Sequence, residues 1–181
     1  KKFEVDKIIN FKGIKQGIEN TNYILKSRNK KFILPLFEKR VFQKEIPFFI
    51  KLMDQLNDLK INCPKPLKNK NGNYLIRIKN KTACIGSFLK GKEKKKLNLK
   101  NCFDIGKLIA QMHLTTEKIK LYRKNSMGIK NLNPLLNSIK FKSKKFVNIE
   151  KFLKFNFKDI KKKWPKILPN GIIHGDLFID N

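Results

Sequence analysis

The chain changes texture near residue 90, and that change limits its fold more than any single residue does. Before it, short apolar runs are separated by turn-forming residues; from about residue 92 onward the apolar positions recur at helical spacing. The first part reads as strand, strand, helix, strand, strand. Strands joined by short turns pair antiparallel, so this part predicts an antiparallel sheet with one helix, followed by a mainly helical part: an α+β chain.

Within the first part, Ile8-Ile9-Asn10-Phe11 and Tyr23-Ile24-Leu25 flank a polar stretch that carries Gly13 and Gly17. Two glycines between strand-like runs make a turn whose backbone can approach a ligand closely and whose N–H groups can cradle phosphate; a plain surface turn has the same composition. Phe32 to Phe37 is a third strand. From Glu45 the apolar residues Phe49, Leu52, Met53, Leu56 and Leu59 recur at helical spacing, and Asn62-Cys63-Pro64 ends that helix. Asn71-Gly72 signals a hairpin turn, and a second turn at Asn80-Lys81 separates strands at Tyr74–Ile78 and Thr82–Leu89. Gly86-Ser87-Phe88-Leu89-Lys90-Gly91 has a glycine at each end and reads as a linker.

Beyond it, Leu99, Cys102, Phe103, Ile105, Leu108, Ile109 and Met112 share one helix face, with Asn98 as N-cap and His113 closing the stripe. A lone histidine there reads as a core or supporting residue before a catalytic one. Asn133 to Leu136 opens a short helix, Phe155 to Trp164 forms another, and Trp164 is expected to anchor a core.

The formal charge of +29 would ordinarily point to nucleic acid or an anionic surface. Yet of 43 basic residues only Arg28, Arg40, Arg77 and Arg123 are arginine, the residue that recognises phosphate and bases through a bidentate fork. The lysines are spread along a chain also rich in Asn and Ile, which is the mark of codon bias, so a non-catalytic basic nucleic-acid-binding domain is the lesser reading. Cys63, Cys84 and Cys102 are odd in number and unpaired in spacing, which argues for a reducing cytoplasm over a disulfide framework. No apolar stretch approaches the roughly 18 residues of a membrane span.

The last eight residues, His174-Gly175-Asp176-Leu177-Phe178-Ile179-Asp180-Asn181, follow the apolar pair Ile172-Ile173 and set Asp176 five positions before Asn181. That is the spacing of a phosphotransferase catalytic loop, in which a carboxylate takes the proton of an attacking hydroxyl and an amide oxygen holds a magnesium ion on the nucleotide phosphates. Gly-Asp is also ordinary turn chemistry. Against that reading, Asp and Glu number only 14 and two of them fall in these final positions.

Taken in order, these parts resemble the aminoglycoside phosphotransferase-like superfamily, a protein-kinase-like fold whose catalytic loop carries His-Gly-Asp. Within it, Phe11-Lys12-Gly13, Gly17-Ile18-Glu19-Asn20-Thr21-Asn22-Tyr23, Leu36-Phe37-Glu38, Glu45-Ile46-Pro47-Phe48-Phe49, Cys63-Pro64-Lys65-Pro66 and His174 to Asn181 resemble the bacterial homoserine kinases. The resemblance implies a two-lobed fold with a nucleotide-binding lobe at 1–85, a hinge at 86–91 and an incomplete helical lobe at 92–181 whose catalytic loop is 174–181. It implies ATP and Mg2+ as cofactors and L-homoserine as the phosphorylated partner; choline, methylthioribose or an aminoglycoside are the rivals within the superfamily. Asp176 would be the catalytic base and Asn181 a metal ligand, with the second metal Asp of kinases expected beyond the chain. Gly13, Gly17, Asn20 and Asn22 would border the ATP phosphates, Glu45 would match the kinase helix glutamate, and Gly86, Ser87, Phe88 and Leu89 would lie beside adenine. Arg123 and Asp180 are weaker substrate candidates. One departure stands out: Pro35 falls where kinases carry the phosphate-binding lysine.

Overall fold

A computed structural model describes residues 3–14, 20–38, 43–91, 94–138 and 147–179. The chain divides into two compact units, Lys1–Tyr122 with Gly171–Asn181, and Arg123–Asn170. In the first, β1 (Asn10–Ile14), β2 (Asn20–Lys26) and β3 (Lys31–Phe37) are followed by α1 (Ile46–Asp58), the short strands β4 (Ile76–Ile78), β5 (Lys81–Ala83) and β6 (Gly86–Ser87), and α2 (Leu99–Thr116). The second holds α3 (Ile129–Ser138) and α4 (Val147–Lys163), which pack on each other. No helix among the described residues is long and apolar enough to cross a membrane.

The sheet is antiparallel, in the order β1-β2-β3-β5-β4, with β6 also on β3. Side chains alternate across its two faces. Leu25, Phe32 and Ile85 join Phe3 in a core on one face, with Tyr23 and Leu34 packed against it. On the other, Cys84 meets Ile46 and Ile50 of α1, with Phe37, Met53, Tyr74 and Leu75 around them. Burial pushes the Cys84 thiol up to about 12, as expected for a cysteine used as a small apolar residue.

Turn chemistry matches the sequence closely. At the expected Asn71-Gly72 hairpin, Gly72 has φ +78°, a conformation glycine takes without strain, and the Asn69 side-chain oxygen accepts from the N–H groups of Asn71 and Asn73, both at 2.9 Å. The Asn57 amide donates to the Met53 and Cys63 carbonyls at 2.9 and 3.0 Å, which satisfies the end of α1 at the expected stop. Asn98 caps α2 in a full capping box with Asn101.

Four expectations need correction. The buried residues of α1 are Ile46, Ile50 and Leu56, while Phe49 and Leu59 are exposed: the helix turns its 46, 50, 53 row onto Cys84 and Phe37. The α2 stripe is largely open, with Leu99 91% and Phe103 71% exposed and His113 also exposed, because the described part of α2 meets only one other element of this unit, α1. Trp164 is 44% exposed just past α4 instead of anchoring a core. The expected linker at 86–91 begins as strand, since Gly86 and Ser87 pair with Ile33 and Phe32. Ile172, Ile173 and the run into His174 are irregular.

Ile50→Ala leaves a cavity under the sheet, and unfolding in urea should show a loss of about 2–4 kcal/mol, against little change for exposed Leu99→Ala. Equal effects at the two positions would contradict this core.

Candidate active site

Register decides which of the predicted residues share a face. Lys12 pairs Ile24, which pairs Ile33, which pairs Gly86; one rung further, Ile14 pairs Asn22, which pairs Pro35; beyond that, Asn20 pairs Phe37, which pairs Thr82. Phe37 belongs to the α1 core, so by alternation these rungs face α1. Asn20, Asn22 and Pro35 therefore lie on the same face of the sheet as the helix that Glu45 opens. Pro35 leaves that face without a lysine at its rung, and Lys12 stands one rung away on the edge strand.

Gly13 lies on β1 opposite Tyr23, whose ring would be 3.7 Å from an added Cβ, an ordinary contact. Gly17 lies outside the described residues. Asn20 buries its side-chain oxygen without a hydrogen-bond partner among the described residues. A buried acceptor left open is costly, so this position suits a donor brought by a ligand.

Glu45 sits at the N-cap of α1, half-buried, and its carbonyl accepts from the N–H groups of Phe48 and Phe49 at 3.0 and 3.4 Å. At the other end of the sheet, Gly86 is buried, and an added Cβ would come 3.3 Å from Ile33 Cγ2, so the absent side chain lets β6 close onto β3. The Ser87 hydroxyl accepts from the Lys65 N–H at 2.8 Å. Phe88 carries the Lys31 ammonium 5.6 Å over its ring, and Leu89 is exposed.

Asp176 is exposed in an irregular segment directly after Gly175, whose φ of +78° requires a residue without Cβ strain. Asp180 and Asn181 lie outside the described residues. Arg123 belongs to the second unit.

The chain matches the APH phosphotransferase enzyme family over residues 10–181. It belongs to that family. Among its relatives, the homoserine kinase of Parvibaculum lavamentivorans is 34% identical over 180 residues, and that of Paramagnetospirillum magneticum 36% over 184, each match spanning 99% of this chain. The chain spans about half the length of these relatives, 56% and 55%. Its fold matches amicoumacin kinase hAmiN at a TM-score of 0.75 and 14% identity, over 99% of this chain and 56% of that one. Spectinomycin phosphotransferase APH(9)-Ia follows at 0.62 and 16%, over 95% and 59%. The fold is thus that of the protein-kinase-like phosphotransferases, with the expected α+β composition.

In this family member, side-chain ties that the sequence did not disclose hold the elements around the site. The Tyr74 hydroxyl donates to the Asp54 carboxylate, and Lys68 lies 5.2 Å over the Tyr74 ring, so α1 is fastened to the segment before β4. Burial first, and the neighbouring carboxylate second, push the Tyr74 phenol up to about 12. The Glu38 carboxylate accepts from Lys81 and Thr21, both at 2.6 Å. The only sequence signal for either tie is that acidic side chains are rare in this chain, so each is drawn to a donor.

The Tyr74 phenol keeps its proton more firmly in the folded than in the unfolded chain. Its contribution to stability is therefore complete below pH 10 and disappears as pH rises toward 12. An ultraviolet titration of the native protein should show one late-ionising tyrosine, and Tyr74→Phe should remove it while lowering stability by about 1 kcal/mol. Three tyrosines ionising together near 10 would contradict the tie.

Proposed function

We propose that this chain carries the nucleotide site and catalytic loop of an ATP-dependent kinase that phosphorylates the hydroxyl of L-homoserine to O-phospho-L-homoserine, a step of threonine biosynthesis in the cytoplasm. The observation that carries the reading is the joint one: similarity to homoserine kinases runs through 99% of this chain, and Asp176 follows a positive-φ glycine at the expected place in the loop.

In this reading residues 1–85 bind the nucleotide, 86–91 form the hinge and 92–181 contribute the catalytic part. The turn bordered by Gly13, Gly17, Asn20 and Asn22 covers the ATP phosphates. The open acceptor of Asn20 fits this use, since a nucleotide hydroxyl or metal-bound water would donate to it. Gly86 to Leu89 line adenine, offering backbone groups and the Phe88 ring. Asn181 offers an amide oxygen to a hard cation; an oxygen donor of this kind suits Mg2+, which when bound neutralises charge on the phosphates. Glu45 would match the kinase helix glutamate, with Pro35 in the lysine's place on β3.

Asp176 takes the proton of the homoserine hydroxyl as the oxygen attacks. Its exposed position leaves it accessible to a small substrate. Phosphoryl transfer asks little covalent chemistry of the protein, so most of the rate enhancement would come from holding the hydroxyl in line with the phosphate. Asp180, in the same loop as Asp176, is the candidate to hold the amino-acid end, a carboxylate for its ammonium. A polycationic aminoglycoside would call for many acids in the cleft, and 14 in the whole chain favour the zwitterionic amino acid.

In the full-length protein, Asp176→Asn should lower homoserine-dependent ADP production by about 100-fold or more while leaving the melting temperature unchanged. Undiminished turnover in that variant would remove Asp176 as the base.

A further inference from the structure

We propose that Glu38 is a positioning residue for the start of β2, where Asn20 and Asn22 stand, acting through Thr21 and Lys81; the inference rests on those residues bordering the phosphate site. Glu38 directly follows β3, and the pairing of Phe37 with both Asn20 and Thr82 sets Thr21, Glu38 and Lys81 side by side on the face opposite α1. One carboxylate oxygen, Oε1, accepts from the Thr21 hydroxyl and from the Lys81 ammonium, each at 2.6 Å, and so joins three strands.

Thr21 is the second residue of β2, between Asn20 and Asn22. Among the described strands β1 is the edge strand and pairs with β2 alone. A force that fixes the start of β2 therefore also steadies β1. A second tie reaches the same rung from the α1 side: the Thr82 hydroxyl donates to the Gln43 side-chain oxygen at 2.6 Å, and Arg77 donates to that hydroxyl at 3.3 Å. Gln43 stands two residues before Glu45. The Lys81-Thr82 end of β5 thus fastens the start of β2 on one face and the approach to α1 on the other.

The geometry is specific while the stabilisation it offers is small. The side chains of Lys81 and Glu38 are 47% and 28% exposed, and solvent screens pairs of this kind. The hydrogen bond from Lys81, then that from Thr21, holds the Glu38 carboxyl below the usual carboxylate range, so both donors meet an anion at neutral pH.

The test is equilibrium binding of ATP and of adenosine to the full-length protein, in wild type, Glu38→Ala, Glu38→Gln and Lys81→Met, with melting temperatures measured alongside. A positioned phosphate site predicts that Glu38→Ala weakens ATP about tenfold and leaves adenosine within about twofold. Glu38→Gln and Lys81→Met, which keep the fold's shape, should fall between. Adding Thr21→Val to Glu38→Ala should cost little more, since both act through one contact. Equal losses for ATP and adenosine, or no loss in folded variants, would overturn the role of Glu38. Wild type that binds ATP no tighter than adenosine would instead remove the phosphate site itself, and the proposal with it.

Discussion

The ladder between β2 and β3 runs through seven pairs, from Asn20 with Phe37 to Lys26 with Lys31, and because successive side chains alternate, its register assigns every residue of both strands to a face. A slip by one residue would turn Phe32 and Leu25 away from Phe3 and Ile85, and Phe37 away from α1. It would also carry Asn20 and Asn22 off the side of the sheet where α1 packs. The burial that makes the sheet stable is therefore the same constraint that places Asn20 and Asn22 on the α1 side.

That ladder is finished at its Asn20–Phe37 end by hydrogen bonds and charge as well as apolar packing. Glu38 joins Lys81 and Thr21 at the start of β2, and Thr82 joins Gln43 ahead of α1. Tyr74 and Asp54 then hold α1 further along. In a chain with 43 basic and 14 acidic residues, carboxylates are scarce, and Glu38 and Asp54 are both used to join separate elements. The excess of lysine is dispersed, and the described ion pairs use only a few of those lysines.

Much of the first unit was legible because its signals are local. Gly72 in its left-handed turn, Pro64 beyond α1 and the Asn98 capping box each act within a few residues, so the sequence carries them directly. The burial of α1 was less legible, since Ile46 and Ile50 are chosen over Phe49 by the position of Cys84, a contact 34 to 38 residues away. The ties of Glu38 to Lys81 and of Tyr74 to Asp54 are likewise long-range and leave no periodic trace. In α2 the sequence pattern was present but its burial was not, because periodicity reports an amphipathic face and says nothing of what covers it. Of the candidate site, Asp176 rests on its motif; the structure adds that its segment is irregular and exposed and that Gly175 before it has a positive φ.

The central claim is transfer of the ATP γ-phosphoryl group to the homoserine hydroxyl. Phosphorus NMR of the full-length protein with ATP, Mg2+ and L-homoserine, run beside choline, methylthioribose and spectinomycin, measures it directly. The account predicts a new phosphomonoester resonance with homoserine, formed in step with ADP, and far slower reaction with the other three alcohols. ATP consumption that ignores homoserine, or a phosphomonoester formed faster on one of the other alcohols, would contradict it.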